Sequence, residues 1–222
     1  MGIVVALDGF SATGKRTLGM ALKEKFNYAY LDTGALYRAL AYVMRLNNLD
    51  VTSEEQALQT VKTLSFQQMQ GLQNDPGIRT DENSKATSIV AAMPQVRGAL
   101  LDFQRQVAYH PTTLDGTPLK GAILDGRDIG TVVCPDAQVK LFLTARPEIR
   151  ALRRFKELQL TQKDVILENV LAALQERDAR DASRKTAPTK PAEDAYILDT
   201  SDLTPEGVLA AALKEIQKRG VI

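Results

Sequence analysis

The chain has 222 residues, 44% of them hydrophobic, with 28 basic and 27 acidic side chains for a net charge of +1. That length supports one well-buried core with small appended pieces, and the even charge lacks the basic surplus of a nucleic-acid binder. Its single cysteine, Cys134, excludes an internal disulfide framework and suits a reducing cytosol, and its single histidine, His110, leaves little room for a His-based metal cluster or a serine triad.

Residues 3–7 (IVVAL) form a short apolar run with β-branched members, which predicts a strand covered on both faces. The opening MGIVVALDGF lacks the basic start of a secretory leader, and Ala6 stands where a myristoylation signal needs a hydroxyl. No apolar run is long enough to span a bilayer, so a cytoplasmic location is expected. Leu18 and Leu22, four apart, predict a helix over 15–26, followed by a strand at 28–32 and a strongly helical stretch at 34–48. From 52 to 110 there is no clear buried strand, and the stretch reads as a largely helical insertion with a turn at 74–77 (NDPG). Met93 precedes Pro94, so one helix ends near Ala92 and another begins at Pro94. Residues 110–121 read as a loop or small hairpin. Strands follow at 121–126, 139–145 and 195–200. Pro147 opens a long helix, and Thr204 with Pro205 is a good N-terminal cap for a last one. Strands alternating with helices predict a parallel sheet flanked by helices.

The stretch LDGFSATGKRTLG, residues 7–19, nearly spells the phosphate-binding pattern G-x-x-x-x-G-K-[ST]: Gly9, Gly14 and Lys15 fit, but Arg16 follows the lysine and Thr17 comes one residue late. The pattern needs a strand before it and a helix after it, and both are predicted. Gly9 permits a sharp exit from the strand, and Gly14 lets backbone N–H groups approach phosphate oxygens. Lys15 brings a point charge to β- and γ-phosphates, beside the partial positive charge of a helix N-terminus. The binding set is then Gly9, Ser11, Ala12, Thr13, Gly14, Lys15, Arg16 and Thr17. The plainer alternative is a glycine-containing turn with a solvated lysine. Arg16 cannot offer a hydroxyl to magnesium, so the ion would depend on the nucleotide's oxygens, water and Thr17. Arg16 either faces solvent or adds charge near the transferred group.

Arginines gather at helical spacings. Arg150, Arg153 and Arg154 stand at i, i+3 and i+4; Arg177, Asp181 and Arg184 stand at i, i+4 and i+7. Either set is a solvated, salt-bridged face or a phosphate grip, since the planar guanidinium binds phosphate oxygens in two places.

Three further stretches carry a resemblance: DTGALYRAL (32–40), DGRDIGTVVCPDAQVKLFLTA (125–145) and ERDARDASRKTAPTKPAEDAYILDT (176–200) are similar to bacterial cytidylate kinases. The resemblance covers nearly the whole chain and is weakest at 49–77, which looks shortened. Arg16 and Phe10, where the family mostly has small residues and proline, depart from its pattern, and the 110–121 loop looks long. The resemblance implies an α/β, three-layer P-loop NTPase fold with a five-stranded parallel sheet. It also implies a core at 1–48 and 111–222, a helical lid at about 150–168 and a nucleoside-monophosphate-binding insertion at 49–110. The activity implied is transfer of the γ-phosphoryl of ATP to CMP or dCMP, with Mg2+ held mainly by ATP and water and no metal ligand set of the protein's own. CMP would lie between core and insertion. A monomer is expected, with no nucleic-acid polymer and no membrane as partner.

Residue by residue, the resemblance gives Lys15 to the ATP phosphates and Arg38 to the acceptor's phosphate, with Thr33 nearby. Ser88, Arg97 and Asp128 would read the cytosine. A carboxylate such as Asp128 accepts from the exocyclic amine and repels uracil's carbonyl. Arg177, Asp181 and Arg184 fall near the acceptor, and Arg153 and Arg154 in the lid. The catalytic set is Lys15, Arg153, Arg177 and Arg184. Plainer readings stand beside these: Arg38 as a surface arginine, Asp128 as a helix cap, Cys134 as buried and inert, His110 as a loop residue. Two other functions stay open, a kinase of another nucleotide or small metabolite, and an ATP-binding module without turnover.

Overall fold

A computed structural model describes residues 2–72, 75–113, 115–160 and 164–220. The chain forms two compact units, one of residues 1–31 with 107–222 and one of residues 32–106.

The first unit is built on a five-stranded sheet of β1 (Ile3–Gly9), β2 (Ala29–Asp32), β3 (Gly121–Asp125), β4 (Val139–Thr144) and β5 (Tyr196–Asp199), in the order β2-β3-β1-β4-β5. β1 runs parallel to β3 and β4, and β4 runs parallel to β5. Val4, Val5, Ala6 and Leu7 of β1 are all buried, as an apolar run in the middle of a two-sided sheet must be. On one face Leu18 and Leu22 of α1 (Lys15–Phe26) pack with Leu7, Ile123, Val139, Leu141 and Leu198, and with Val208, Ala212 and Ile216 of the last helix (Pro205–Lys218). Two further helices, Pro147–Gln159 and Leu167–Ser183, pack against each other through Ala151, Leu158, Val170 and Leu174. The last helix starts as its sequence predicts: the Thr204 hydroxyl accepts from Gly207 N–H at 3.2 Å, and Pro205 opens the first turn. Residues 110–121 contain a small hairpin, with Thr112 bridged to Pro118 and Thr113 N–H donating to Thr117 O at 2.8 Å; Leu114 lies outside the described residues.

The second unit is helical among its described residues: α2 (Thr33–Leu46), α3 (Glu54–Thr63), α4 (Phe66–Gly71), a 3-10 turn (Pro76–Arg79), α5 (Asp81–Val90) and most of α6 (Pro94–Tyr109). Ser53 caps α3 and Thr80 caps α5, while the Asp75 carboxylate accepts from Gly77 N–H at the turn expected over 74–77, whose first residue lies outside the described residues. The expected break before Pro94 separates α5 from α6. The division between units falls at 31/32 and 106/107. The cause is α2: its Leu36, Tyr37, Leu40 and Met44 share one apolar core with Ala57, Val61, Ile78, Val90 and Leu100, so it packs with the insertion. By chain order the helices after α6 are α7 (Pro147–Gln159), α8 (Leu167–Ser183) and α9 (Pro205–Lys218).

Candidate active site

The stretch 9–17 leaves β1 and enters α1. Gly9 has φ +137°, and a Cβ there would stand 2.1 Å from the Leu143 carbonyl oxygen, so only glycine lets β1 turn so close to β4. Gly14, at φ +94°, precedes α1, and no side chain caps that helix, which leaves its start to the loop's own backbone. Lys15 is buried, its ammonium donating to Phe10 O at 2.7 Å with the Thr13 hydroxyl at 3.4 Å. The Thr13 hydroxyl donates to Phe10 O at 3.0 Å, and Thr13 O accepts from the Thr200 hydroxyl at 3.0 Å, which ties the loop to the end of β5. The lysine ammonium beside the uncapped start of α1 brings positive charge and free backbone N–H groups to one place, which is the chemistry of an anion site. Arg16 and Thr17 are exposed on the first turn of α1.

A second cluster centres on Asp181 of α8, which is 1% exposed. Its carboxylate accepts from Arg127 Nε at 3.1 Å and from Arg184 Nη2 at 2.5 Å, with Arg177 Nε at 3.9 Å. Burial alone pushes Asp181 up, but the three guanidinium groups outweigh it and hold the carboxyl below its ordinary range. Arg184 stands just past the end of α8 rather than on its face, and meets Asp181 from there. Arg127 is the link to the loop, since its Nη2 donates to the Ser11 hydroxyl at 2.8 Å. Desolvation opposes the charge on its half-buried guanidinium, but Asp181 and Asp125 overcome that cost.

The arginines at 150, 153 and 154 separate. Arg150 turns inward, donating to Asp178 at 2.6 Å, to Ser11 O at 3.3 Å and to Ala145 O at 3.0 Å, with its guanidinium 5.7 Å from the Phe10 ring centre. Burial pushes the Asp178 carboxyl up in spite of that partner. Arg153 donates to the Thr200 hydroxyl at 3.0 Å and to Thr200 O at 2.6 Å. Arg154 reaches Glu157 at 3.2 Å. The one shared face expected from their spacing becomes three separate addresses, because each long side chain follows a different partner. Residues 161–163 of the expected lid lie outside the described residues.

Asp128 precedes a wide turn, Ile129–Val133, closed by i to i+5 bonds from Val133 N–H to Asp128 O (3.2 Å) and from Cys134 N–H to Ile129 O (2.7 Å). Its side chain caps nothing there, which sets aside its reading as a helix cap. The turn's first two N–H groups go instead to Asp8: Ile129 to Oδ1 at 2.8 Å and Gly130 to Oδ2 at 2.7 Å. Cys134 is fully buried, and His110 is exposed in its loop.

In the helical unit, Arg38 on α2 donates to Asp32 Oδ2 at 2.5 Å, while Asp32 Oδ1 caps α2 by accepting from Ala35 N–H at 3.1 Å. Arg38 is thus a held side chain rather than a loose surface arginine. Thr33, the first residue of the same helix, is buried. The Ser88 hydroxyl on α5 is buried without a hydrogen-bond partner, a cost that a bound polar group would remove. Arg97 on α6 donates to Ala91 O at 3.0 Å with its guanidinium 5.7 Å from the Tyr37 ring centre. Sequence reasoning missed Arg127, Asp8, Asp32 and Asp178. Asp8 had one visible sign, a lone acid in an otherwise apolar strand.

The family sequence model described as Cytidylate kinase matches residues 5–218 of the chain. The chain belongs to the cytidylate kinase family. It is 46% identical over 211 residues to the cytidylate kinase of Rhodospirillum rubrum, which covers 95% of each chain. It is 47% identical over 213 residues to that of Paramagnetospirillum magneticum, covering 96% of this chain and 97% of that one. Among solved structures, an uncharacterized protein from Eubacterium ventriosum is similar at TM-score 0.53 and 10% identity, over 98% of this chain and 99% of its own, a likeness of fold alone. Family membership and the parallel sheet with its strand-loop-helix entry agree on an ATP-dependent kinase of the P-loop class.

Proposed function

We propose that the chain transfers the γ-phosphoryl group of ATP to CMP or dCMP, giving ADP and CDP or dCDP, as a cytoplasmic monomer. The observation that carries the reading is the Asp181 cluster: one buried carboxylate gathers three arginines, and one of these, Arg127, touches Ser11 of the phosphate loop. Phosphoryl transfer asks for positioning and charge neutralisation rather than acid–base groups, and an acceptor phosphate is already anionic. The chain's chemistry fits that need.

Roles follow residue by residue. The loop 9–17 takes ATP, with Lys15 leaving Phe10 O for the β- and γ-phosphates and its fellow loop residues giving backbone N–H groups. Arg153 and Arg154 of α7 serve the ATP side. Arg38, oriented by Asp32, takes the acceptor's phosphate, with Thr33 beside it. Ser88 and Arg97 read the cytosine ring and Asp128 its exocyclic amine. Arg177, Arg184 and Arg127 neutralise the transferring group, and Asp181 orients them and accepts from a sugar hydroxyl. Magnesium, arriving with ATP, supplies further neutralisation of the phosphates. The exposed Thr17 hydroxyl on the first turn of α1 would be available to the ion or to one of its waters.

The test is direct. The protein is mixed with Mg-ATP and, in turn, CMP, dCMP, UMP, AMP and GMP, and ADP release is followed. Turnover with the cytidine nucleotides supports the proposal. Turnover only with another nucleotide points to a kinase of different substrate, and none with any of them to a binding module.

A further inference from the structure

Asp8 is the only charged residue of β1, and it is buried at the strand's end, one residue before the phosphate loop begins. Its two oxygens are each used by a backbone N–H, those of Ile129 and Gly130, 121 and 122 residues away in sequence. A carboxylate that takes two N–H groups from the start of a helical turn does the work of an N-cap. The residue in the capping place, Asp128, has no such bond, so capping has been moved to a distant strand. The same strand end fixes the other shoulder: Gly126 N–H donates to Leu7 O at 2.9 Å. Residues 126–130, which carry Arg127 and Asp128, are thereby clamped on both sides by two consecutive residues of β1.

The seat is tightly made. A Cβ on Gly130 would stand 3.4 Å from Asp8 Oδ2 and 3.1 Å from the Lys140 stem, so glycine lets the backbone come close to the carboxylate. Lys15 faces Asp8 from α1 and attracts it, while Asp128 faces it from the turn and repels it. The Lys140 ammonium is committed elsewhere, to Pro135 O and Asp194.

We propose that Asp8 is a positioning residue for acceptor recognition: by holding Ile129 and Gly130 it sets the place of Asp128 and so the discrimination of cytosine from uracil. This rests on Asp128 as the reader of the cytosine amine. Asp8 touches neither nucleotide in this reading and acts through the turn.

The experiment compares Asp8→Asn with Asp128→Asn in steady-state assays with CMP and UMP. Asparagine has the shape of aspartate but sets an N–H donor against a backbone N–H donor, so the turn must shift. For Asp8→Asn the expected result is a KM for CMP raised about tenfold or more, a KM for ATP changed far less, and a reduced preference for CMP over UMP. Should Asp128→Asn leave that preference intact, the underlying assignment of the base reader fails. If Asp128→Asn removes it but Asp8→Asn keeps both the preference and the KM for CMP, the positioning role is overturned. Equal rises in both KM values, as a loosened phosphate loop gives, overturn it as well. If Asp8→Asn does not fold, amide NMR of the Asp128→Asn protein replaces it. The Ile129 and Gly130 amide protons must then titrate together with the one carboxylate they contact between pH 3 and 9, and amides that stay still refute the clamp.

Discussion

Asp8 also makes a prediction about stability and pH. Burial pushes its carboxyl from the ordinary 3.8 up to about 7, and the N–H bonds from Gly130 and Ile129 only partly offset this, as does Lys15. Between those two values the folded chain keeps a proton that the unfolded chain has released. The group's contribution is therefore fully present below pH 3.8 and is lost as pH rises through about 7. The whole displacement corresponds to about 4 kcal/mol, of which about 2 kcal/mol falls between pH 5.5 and pH 8. Urea unfolding of the wild type and of Asp8→Asn at both pH values reads out that share, because titrating groups that are not coupled to Asp8 cancel in the comparison. The wild type should lose about 2 kcal/mol more than the variant on going from pH 5.5 to pH 8. Parallel stability profiles for the two proteins, or a steeper loss in the variant, would refute the reasoning.

Replacing Lys15 by Ala should lower turnover at least about a hundredfold, measured as ADP release under saturating CMP and ATP, because a preorganised charge is removed from the transferring group. Arg38→Ala should act chiefly on CMP, raising its KM about tenfold or more while the KM for ATP holds, as expected when a charge-assisted contact to one substrate is lost. Arg127→Lys keeps the charge but loses the fork that reaches both Asp181 and Ser11, and should lower kcat/KM for CMP about tenfold to a hundredfold. Leu22→Ala, at a fully buried position under the sheet, should cost about 2–5 kcal/mol in urea unfolding with nucleotide preference unchanged.

The sheet was legible in the sequence because its strands are short apolar runs between turn residues, and 3–7, 121–126 and 139–145 admit no other comfortable environment. The phosphate loop was legible for the same reason, since a strand, a glycine bend and a helix must follow in order. Helix spacing was a poorer guide to side-chain destination. Arg150, Arg153 and Arg154 share a helical face by spacing, yet they end on Asp178, Thr200 and Glu157, because spacing places a Cα and a long guanidinium chooses its own partner. Long-range packing is equally hidden for α2, which follows the core strands in sequence while its apolar face shares a core with the helices of the second unit. Arg127 and Asp8 escaped notice because their partners are far along the chain. Asp181 is 54 residues from Arg127, and a periodic pattern records nothing at that range.

Ser11 meets two guanidinium groups, taking Arg127 on its hydroxyl and Arg150 on its carbonyl, while those arginines are anchored three residues apart on α8 by Asp181 and Asp178. A neutral serine is a weak resting place for such cations. Any phosphate oxygen reaching Arg127 replaces a contact to a neutral acceptor with a full ion pair, in which both partners are charged. The side chain thus waits, already aimed and restrained from behind, on a partner that an anion readily displaces.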